Sequence, residues 1–179
     1  NLPCGSAGAY PAPQCGQPWQ KVVANVGEAS SDGLQLETLN AVGDNMEIVF
    51  NAQWVTAELD QELSDGSAPA GSRLPEVPEF IAKLCLDTAI DTQMMGANEG
   101  FFRASISYTG DTVSAVQPGS QFIQNSYKSI DVKYGLMGDD WEVNLFVNNL
   151  SDERADIAVN DWYFDFFFGN ARQYVNRPR

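Results

Sequence analysis

The sequence predicts an all-β fold of antiparallel, up-and-down strands that forms a segment of a transmembrane β-barrel. Three observations lead to this prediction: strict alternation of apolar and polar residues, runs longer than ordinary strands, and connections that alternate between long and short. We expect about seven strands, the last of them truncated. The apolar faces suit the ~9–11-residue strands that cross a bilayer.

The first predicted strand covers residues 19–42 in one continuous register. Leu34 and Leu36 share one parity, and charged or amide residues occupy the other. The run is far longer than the ~5–6 residues that are typical of globular strands. The alternative is a bend or bulge at Gly27 or Gly33 that splits the run in two.

Five further runs alternate in the same way, each with one apolar parity, and the start of a seventh strand follows them. The runs are 46–59, 80–90, 101–108, 130–136 and 141–147, with the truncated strand at 176–179. Several aromatic residues near the ends of these runs are expected to form interfacial girdles, the alternative being packing in a core. They are Trp54, Tyr108, Tyr127, Tyr134 and Trp141.

The connections sort by length. Short turns are predicted at 43–45, 92–100 and 138–140, and long connections at 1–18, 60–77, 111–126 and 151–176. An up-and-down barrel of the outer-membrane type has short turns at one end and long loops at the other. The alternative is a soluble, secreted β-sandwich, a carbohydrate-binding module in which the same apolar parity faces a second sheet.

Composition excludes several classes of function. Ten basic against twenty-four acidic residues give a net charge of −14, which disfavours nucleic acid and anionic surfaces as partners. The chain has no histidine, and no nucleophile, base and orienting group occur together, so we expect no enzyme. No cofactor and no metal site are predicted, and no apolar run is long enough for a transmembrane helix.

Three cysteines are present. Cys4 and Cys15 flank a segment rich in Gly, Ala and Pro, which predicts a disulfide that closes the outer loop 1–18 in an oxidising compartment. A metal site would need further soft ligands nearby, and the sequence offers none. Cys85 is left over as a buried or lumen-lining thiol.

Five short motifs occur in a fixed order along the chain. Residues 25–37 read Asn-x-Gly-x-Ala-x-Ser-x-Gly followed by aliphatic-x-aliphatic-Glu, and 74–80 read Leu-Pro-x-x-Pro-x-Phe. Residues 107–111 contain Tyr-x-Gly, 141–154 contain aliphatic-x-Asn-Leu-x-Asp-Glu, and 176–179 read Asn-Arg-Pro-Arg. In order and spacing they resemble the C-terminal part of the barrel of TonB-dependent outer-membrane receptors.

The resemblance implies an active transport receptor of the bacterial outer membrane. Such a receptor takes up a ligand such as a ferric siderophore, a saccharide or cobalamin, energised through TonB. Residues 1–179 would form barrel wall and outer loops, without the plug and the last strand. The implied partners are outer-membrane lipid, the N-terminal plug, the remaining strands, TonB through an N-terminal segment, and a small-molecule ligand, but no nucleic acid.

In receptors of this kind, outer loops and lumen-facing residues contact the ligand. The candidates are Arg103, Asp131, Lys133, Trp162 and Tyr163. The first three are also expected to form a cross-strand charge ladder. The alternatives are that the charged residues only solvate the lumen wall and that the aromatic pair packs within its own loop.

Overall fold

Six long antiparallel strands form one sheet in the computed structural model, which describes residues 27–160 and 172–175. The long strands are β1 (Ala29–Val42), β2 (Met46–Leu59), β3 (Phe80–Asp91), β4 (Glu99–Thr109), β7 (Tyr127–Met137) and β8 (Glu142–Val147). The short strands are β5 (Thr112–Val113), β6 (Ile123–Gln124), β9 (Asp156–Asn160) and β10 (Arg172–Val175). The long strands lie in the order β1-β2-β3-β4-β7-β8, so each pairs with its neighbours in chain order. This is the up-and-down, all-β arrangement that the sequence predicts.

The five later strands are confirmed, with ends that shift by up to three residues. The first strand, predicted over 19–42, begins at Ala29 and does not include the described residues 27–28, while 19–26 lie outside the described residues. The predicted seventh strand at 176–179 also lies outside them. No bulge splits β1 at Gly33, since that residue stays in register with Val55. A Cβ at Gly33 would lie only 2.6 Å from the Trp54 carbonyl oxygen, so the glycine permits close approach of the two backbones.

Two predicted connections contain short hairpins of their own. β5 pairs with β6 inside the connection 111–126, and β9 pairs with β10 beyond β8. The described residues contain only short 3-10 turns as helical structure, at Met94–Gly96 and Pro118–Ser120. In this part of the chain no helix is long and apolar enough to cross a membrane.

The strand register sorts side chains onto two faces across the whole sheet. On one side Phe50, Leu84, Ile106 and Ile130 follow one another across β2, β3, β4 and β7, and we call this side the apolar face. The adjacent positions of the same strands form the polar face, because successive side chains of a strand point to opposite sides. These positions are Asn51, Lys83, Ser107 and Ser129.

Neither face of the sheet is covered by a second layer within the described residues. Leu34 is 72% exposed, Leu145 is 65% exposed and Trp54 is 59% exposed, all on the apolar face. The buried apolar cluster of Leu59, Leu63 and Ala68 lies instead at the end of β2 and in the loop after it. The sheet is therefore a single layer with its small core at one end, unlike a sandwich of two facing sheets.

Aromatic side chains lie toward both ends of the apolar face. At the end with the long loops, the ring centroids of Trp54 and Phe80 are 4.3 Å apart and those of Phe80 and Tyr108 are 5.8 Å apart. Toward the end with the short turns, Phe102 lies opposite Tyr134. Six residues separate the two levels along β4, which corresponds to about 20 Å.

One of the aromatics expected in girdles lies on the other face, and another packs on a turn. Tyr127 is opposite Thr109 and belongs to the polar face, because its parity in β7 is that of Asp131. The indole of Trp141 lies against Gly138, covering the turn between β7 and β8. Turn packing therefore accounts for the position of Trp141.

Candidate functional site: the polar face and the loops above it

The polar face carries a row of four charged residues near the short-turn end of the sheet. The row runs Glu47, Asp87, Arg103, Lys133 across β2, β3, β4 and β7. Its charges are therefore ordered as two negative and then two positive. We call these four residues the charged row.

Only the two central members of the charged row bind each other. Nε of Arg103 donates a hydrogen bond of 2.6 Å to Oδ1 of Asp87. Lys133 places its ammonium group over the ring of Phe101, with Nζ 5.0 Å from the ring centroid. Among the described residues, no oppositely charged group lies within ion-pair distance of Glu47 or of Lys133.

A hollow of about 450 Å³ lies over the charged row. All four charged residues line it, together with residues of the 43–45 turn and Phe101. Gly135 makes room for the Phe101 ring, because a Cβ at this position would collide with that ring. An aromatic ring that covers a cross-strand glycine in this way is held in place, so the Phe101 ring has a fixed position beneath the ammonium group of Lys133.

Three of the predicted ligand-facing residues lie on the polar face, as their parity implies. Arg103 and Lys133 are directly opposite each other, whereas Asp131 lies opposite Ser105. The expected ladder therefore has a different composition, since the acidic partner of Arg103 is Asp87. Asp131 instead accepts a hydrogen bond of 2.9 Å from the backbone N–H of Asn149.

Four other predicted site residues lie outside the described residues, so their predictions remain as stated. They are Trp162, Tyr163, Cys4 and Cys15. Cys85 is a free thiol and half-buried, and its parity in β3 places it on the polar face opposite Ser105. No group of metal-ligating side chains occurs among the residues that the structure describes.

Asn149 joins the end of β8 to the turn that follows. Its Nδ2 donates to the Glu153 carbonyl at 2.9 Å, and its Oδ1 accepts from the Glu153 N–H at 3.0 Å. The residue is buried, and its φ of 51° lies in the left-handed region, which Asn tolerates better than most residues. The Asn-Leu-x-Asp-Glu motif thus corresponds to a closed turn, a physical role that the motif alone did not reveal.

The long loops at the opposite end of the sheet pack into one unit, which we call the loop cap and define as residues 60–79 and 110–126. Leu74 of the first loop and Val116 of the second both pack against the buried cluster of Leu59, Leu63 and Ala68. The Glu76 N–H also donates to the Val113 carbonyl at 2.9 Å. The loop cap therefore holds two connections together that are separate in the sequence.

Arg73 is the polar link within the loop cap. Its Nη1 is 2.9 Å from Oδ2 of Asp111, its Nη2 donates to the Asp111 carbonyl at 2.9 Å, and its Nε is 3.0 Å from Glu79. The hydrogen bond from Arg73 lowers the pKa of the Asp111 carboxyl below its ordinary value. Sequence reasoning missed this pair, because nothing periodic relates two residues in different loops.

Comparison with known proteins supports the fold. No protein-family model and no curated protein matches the chain. Among solved structures, the crystal structure of the ferric yersiniabactin uptake receptor FyuA from Yersinia pestis is similar, with a TM-score of 0.69 and 22% sequence identity over 85% of this chain. The chain spans only 22% of the length of that receptor. At this identity the likeness shows the fold alone, an all-β sheet similar to a piece of that receptor's β-barrel.

Proposed function

We propose that this chain forms barrel wall and outer loops of a bacterial outer-membrane receptor that takes up a small-molecule ligand. The ligand is of the class of ferric siderophores, saccharides or cobalamin, and uptake is energised through TonB. The observation that carries this proposal is the single-layer sheet with one continuous apolar face and one polar face. Structural similarity to a ferric yersiniabactin uptake receptor supports it.

The exposed side chains of the apolar face are more stable in an apolar medium than in water. A large side chain left exposed in water forgoes about 1.5–3 kcal/mol of burial free energy. Leu34, Leu84, Ile106 and Leu145 are all more than a third exposed on this face. Because no second layer covers them within the described residues, lipid is the solvent that matches this surface.

The height of the apolar face agrees with a bilayer. Its two aromatic levels are about 20 Å apart, close to the ~25 Å apolar band flanked by aromatic girdles in outer-membrane barrels. Lys128 lies opposite Tyr108 at the level nearer the long loops, where its ammonium group can reach the lipid headgroups. The long loops then lie outside the cell and the short turns on the periplasmic side.

The two sheet edges imply further strands. β1 and β8 each pair with only one neighbour in the described sheet, and their outer edges leave backbone N–H and C=O groups for another strand. Such groups cannot stay unpaired in lipid. The remaining strands of the barrel supply these partners, and the plug lies against the polar face.

Expression of this chain without detergent tests the membrane part of the proposal. We expect aggregation in buffer, and dispersal with a β-sheet circular dichroism spectrum when detergent and the missing strands are supplied. Size exclusion and near-ultraviolet circular dichroism report both states. A soluble monomer that unfolds cooperatively in buffer would favour the secreted binding module instead.

Ligand uptake needs a cellular test. In the organism that makes the chain, deletion of its gene should abolish TonB-dependent growth on one member of a panel of ferric siderophores, saccharides and cobalamin. Growth on other nutrients is the control. Unchanged uptake of every panel member would overturn the transport assignment.

A further inference from the structure

We propose that the charged row is a docking surface for a polypeptide segment that carries one basic and one acidic side chain about 14 Å apart. The basic group of that segment binds Glu47, and its acidic group binds Lys133. The proposal rests on the proposed function in one respect, because it takes the polar face as the inner wall of a barrel.

The order of charges is the first reason. Glu47 lies opposite Asp87, and Arg103 lies opposite Lys133, so two pairs of like charges face each other across strands. Like charges directly opposite are destabilising. The ion pair between Asp87 and Arg103 compensates the inner two charges, and among the described residues it leaves the outer two without an oppositely charged partner.

The geometry is the second reason. Three strand intervals separate Glu47 from Lys133, and at about 4.8 Å for each interval they span about 14 Å. An extended chain advances about 3.3–3.4 Å per residue, so side chains about four residues apart match this span and point the same way. The hollow of about 450 Å³ leaves the space over the row open to such a segment.

The position of Lys133 is the third reason. Its Nζ is already held over the Phe101 ring, which lies over Gly135. An ammonium group positioned in advance loses less freedom when an acidic group binds it. Glu47, at the other end of the row, is exposed beside the 43–45 turn and accessible to a basic group.

Two peptides of identical composition provide the probe. The spaced peptide is acetyl-Thr-Lys-Thr-Thr-Thr-Glu-Thr-amide, and the compact peptide is acetyl-Thr-Thr-Lys-Glu-Thr-Thr-Thr-amide. Carbodiimide joins a lysine amine to a carboxylate with loss of water, which the activated carbodiimide carries away as a urea. Mass spectrometry of proteolytic fragments then identifies chains joined to one peptide at both Glu47 and Lys133.

The spaced peptide should give this double link about two- to fivefold more often than the compact peptide, the ratio expected of exposed ion pairs. Glu47→Gln or Lys133→Gln should abolish the double link. Glu37→Gln and Lys83→Gln are matched controls, because both residues lie on the polar face outside the hollow. Equal yields from the two peptides, or an equal loss in the Lys83→Gln control, would overturn the proposal.

A charge exchange gives a gain of function that misfolding cannot imitate. Lys133→Glu makes both ends of the row acidic, so a spaced peptide with two lysines should now give the double link. Its absence would count against docking. If the chain disperses in detergent but forms no double link, the docking surface is refuted and the barrel is not. If the chain is soluble in buffer and still forms the double link, the barrel is refuted and the docking surface is retained.

Discussion

At the residue scale, hydrogen-bonded and ion-paired polar side chains determine where strands end and which loops contact each other. Asn149 is the clearest case, since it is only 6% exposed and its side chain makes two hydrogen bonds to the backbone of Glu153. Removing such a side chain leaves buried backbone groups without partners, which costs about 1–3 kcal/mol for each group.

We therefore predict that Asn149→Ala lowers the free energy of unfolding by about 2 kcal/mol or more. Asn149→Asp retains an acceptor for the Glu153 N–H, but it turns a carboxylate oxygen toward the Glu153 carbonyl and buries a charge, so it should destabilise the turn as well. Urea unfolding in detergent micelles, followed by circular dichroism, measures both variants. Equal stability of wild type and Asn149→Ala would show that the turn does not depend on this side chain.

The Arg73–Asp111 pair predicts a pH dependence of the loop cap. Because the folded pKa of Asp111 lies below its unfolded value, the bridge contributes stability above the unfolded pKa of about 3.9, and that contribution is lost as the pH falls through the folded pKa. The Asp111 side chain is 53% exposed, so solvent screening keeps the effect small.

Cleavage of the 60–79 loop by pepsin should therefore rise between about pH 5 and about pH 2.5, once corrected for the activity of the enzyme. Asp111→Asn should start with faster cleavage and change less with pH. Asp65→Asn is the control, because the pKa of Asp65 is lowered by hydrogen bonds from Ser67 within a single turn. A rise that persists fully in Asp111→Asn would assign the pH dependence to another group.

At the element scale, the positions of the strands can be predicted from the local sequence pattern, but the register between paired strands cannot. Period-two alternation located the long strands, because each residue reports its own face. Register across β4 and β7 was not readable, since the 110–126 loop between them fixes no turn type. The sequence therefore predicted a ladder of Arg103, Asp131 and Lys133 without its pairing. In the structure Lys133 lies opposite Arg103, and Asp131 lies opposite Ser105.

Adjacent residues of β4 test the two faces directly. Ile106→Arg places a charge on the apolar face and should destabilise the membrane-inserted state by about 2–4 kcal/mol. Ser105→Arg places the same charge on the polar face and should have little effect. Folding into lipid vesicles together with the missing strands, read by the shift of the folded band in unheated gel electrophoresis, compares the two variants. Equal losses would show that β4 does not separate lipid from lumen.

The contact between Gly135 and Phe101 allows a packing prediction. Gly135→Val should displace the Phe101 ring and reduce stability by about 1–3 kcal/mol, as overpacking usually does. Ser129→Val lies on the same face of the same strand and serves as the control. Urea midpoints in micelles should fall for the first variant and change little for the second.

At the scale of the whole molecule, the sheet has no second layer and hence no interior of its own among residues 27–160 and 172–175. Both faces are exposed, and the buried apolar cluster of Leu59, Leu63 and Ala68 lies at the long-loop end. Alternation, run length and the order of long and short connections predicted an up-and-down barrel segment, with a two-sheet sandwich as the alternative, and the single-layer sheet agrees with the barrel segment. The loop cap and the charged row were beyond prediction, because they depend on contacts between elements that the sequence does not order.

The apolar face meeting lipid is the central claim, and bromine quenching measures it. The four native tryptophans of this chain are replaced by Phe, and a single tryptophan is placed at Ile106 or at Ser105. The chain is then folded into vesicles of brominated lipid together with the missing strands in a tryptophan-free form. Bromine quenches tryptophan only at close contact, so fluorescence should fall strongly for Ile106→Trp and little for Ser105→Trp. Equal quenching at both positions, or none at position 106, would contradict the claim that this face of the sheet lies in the membrane.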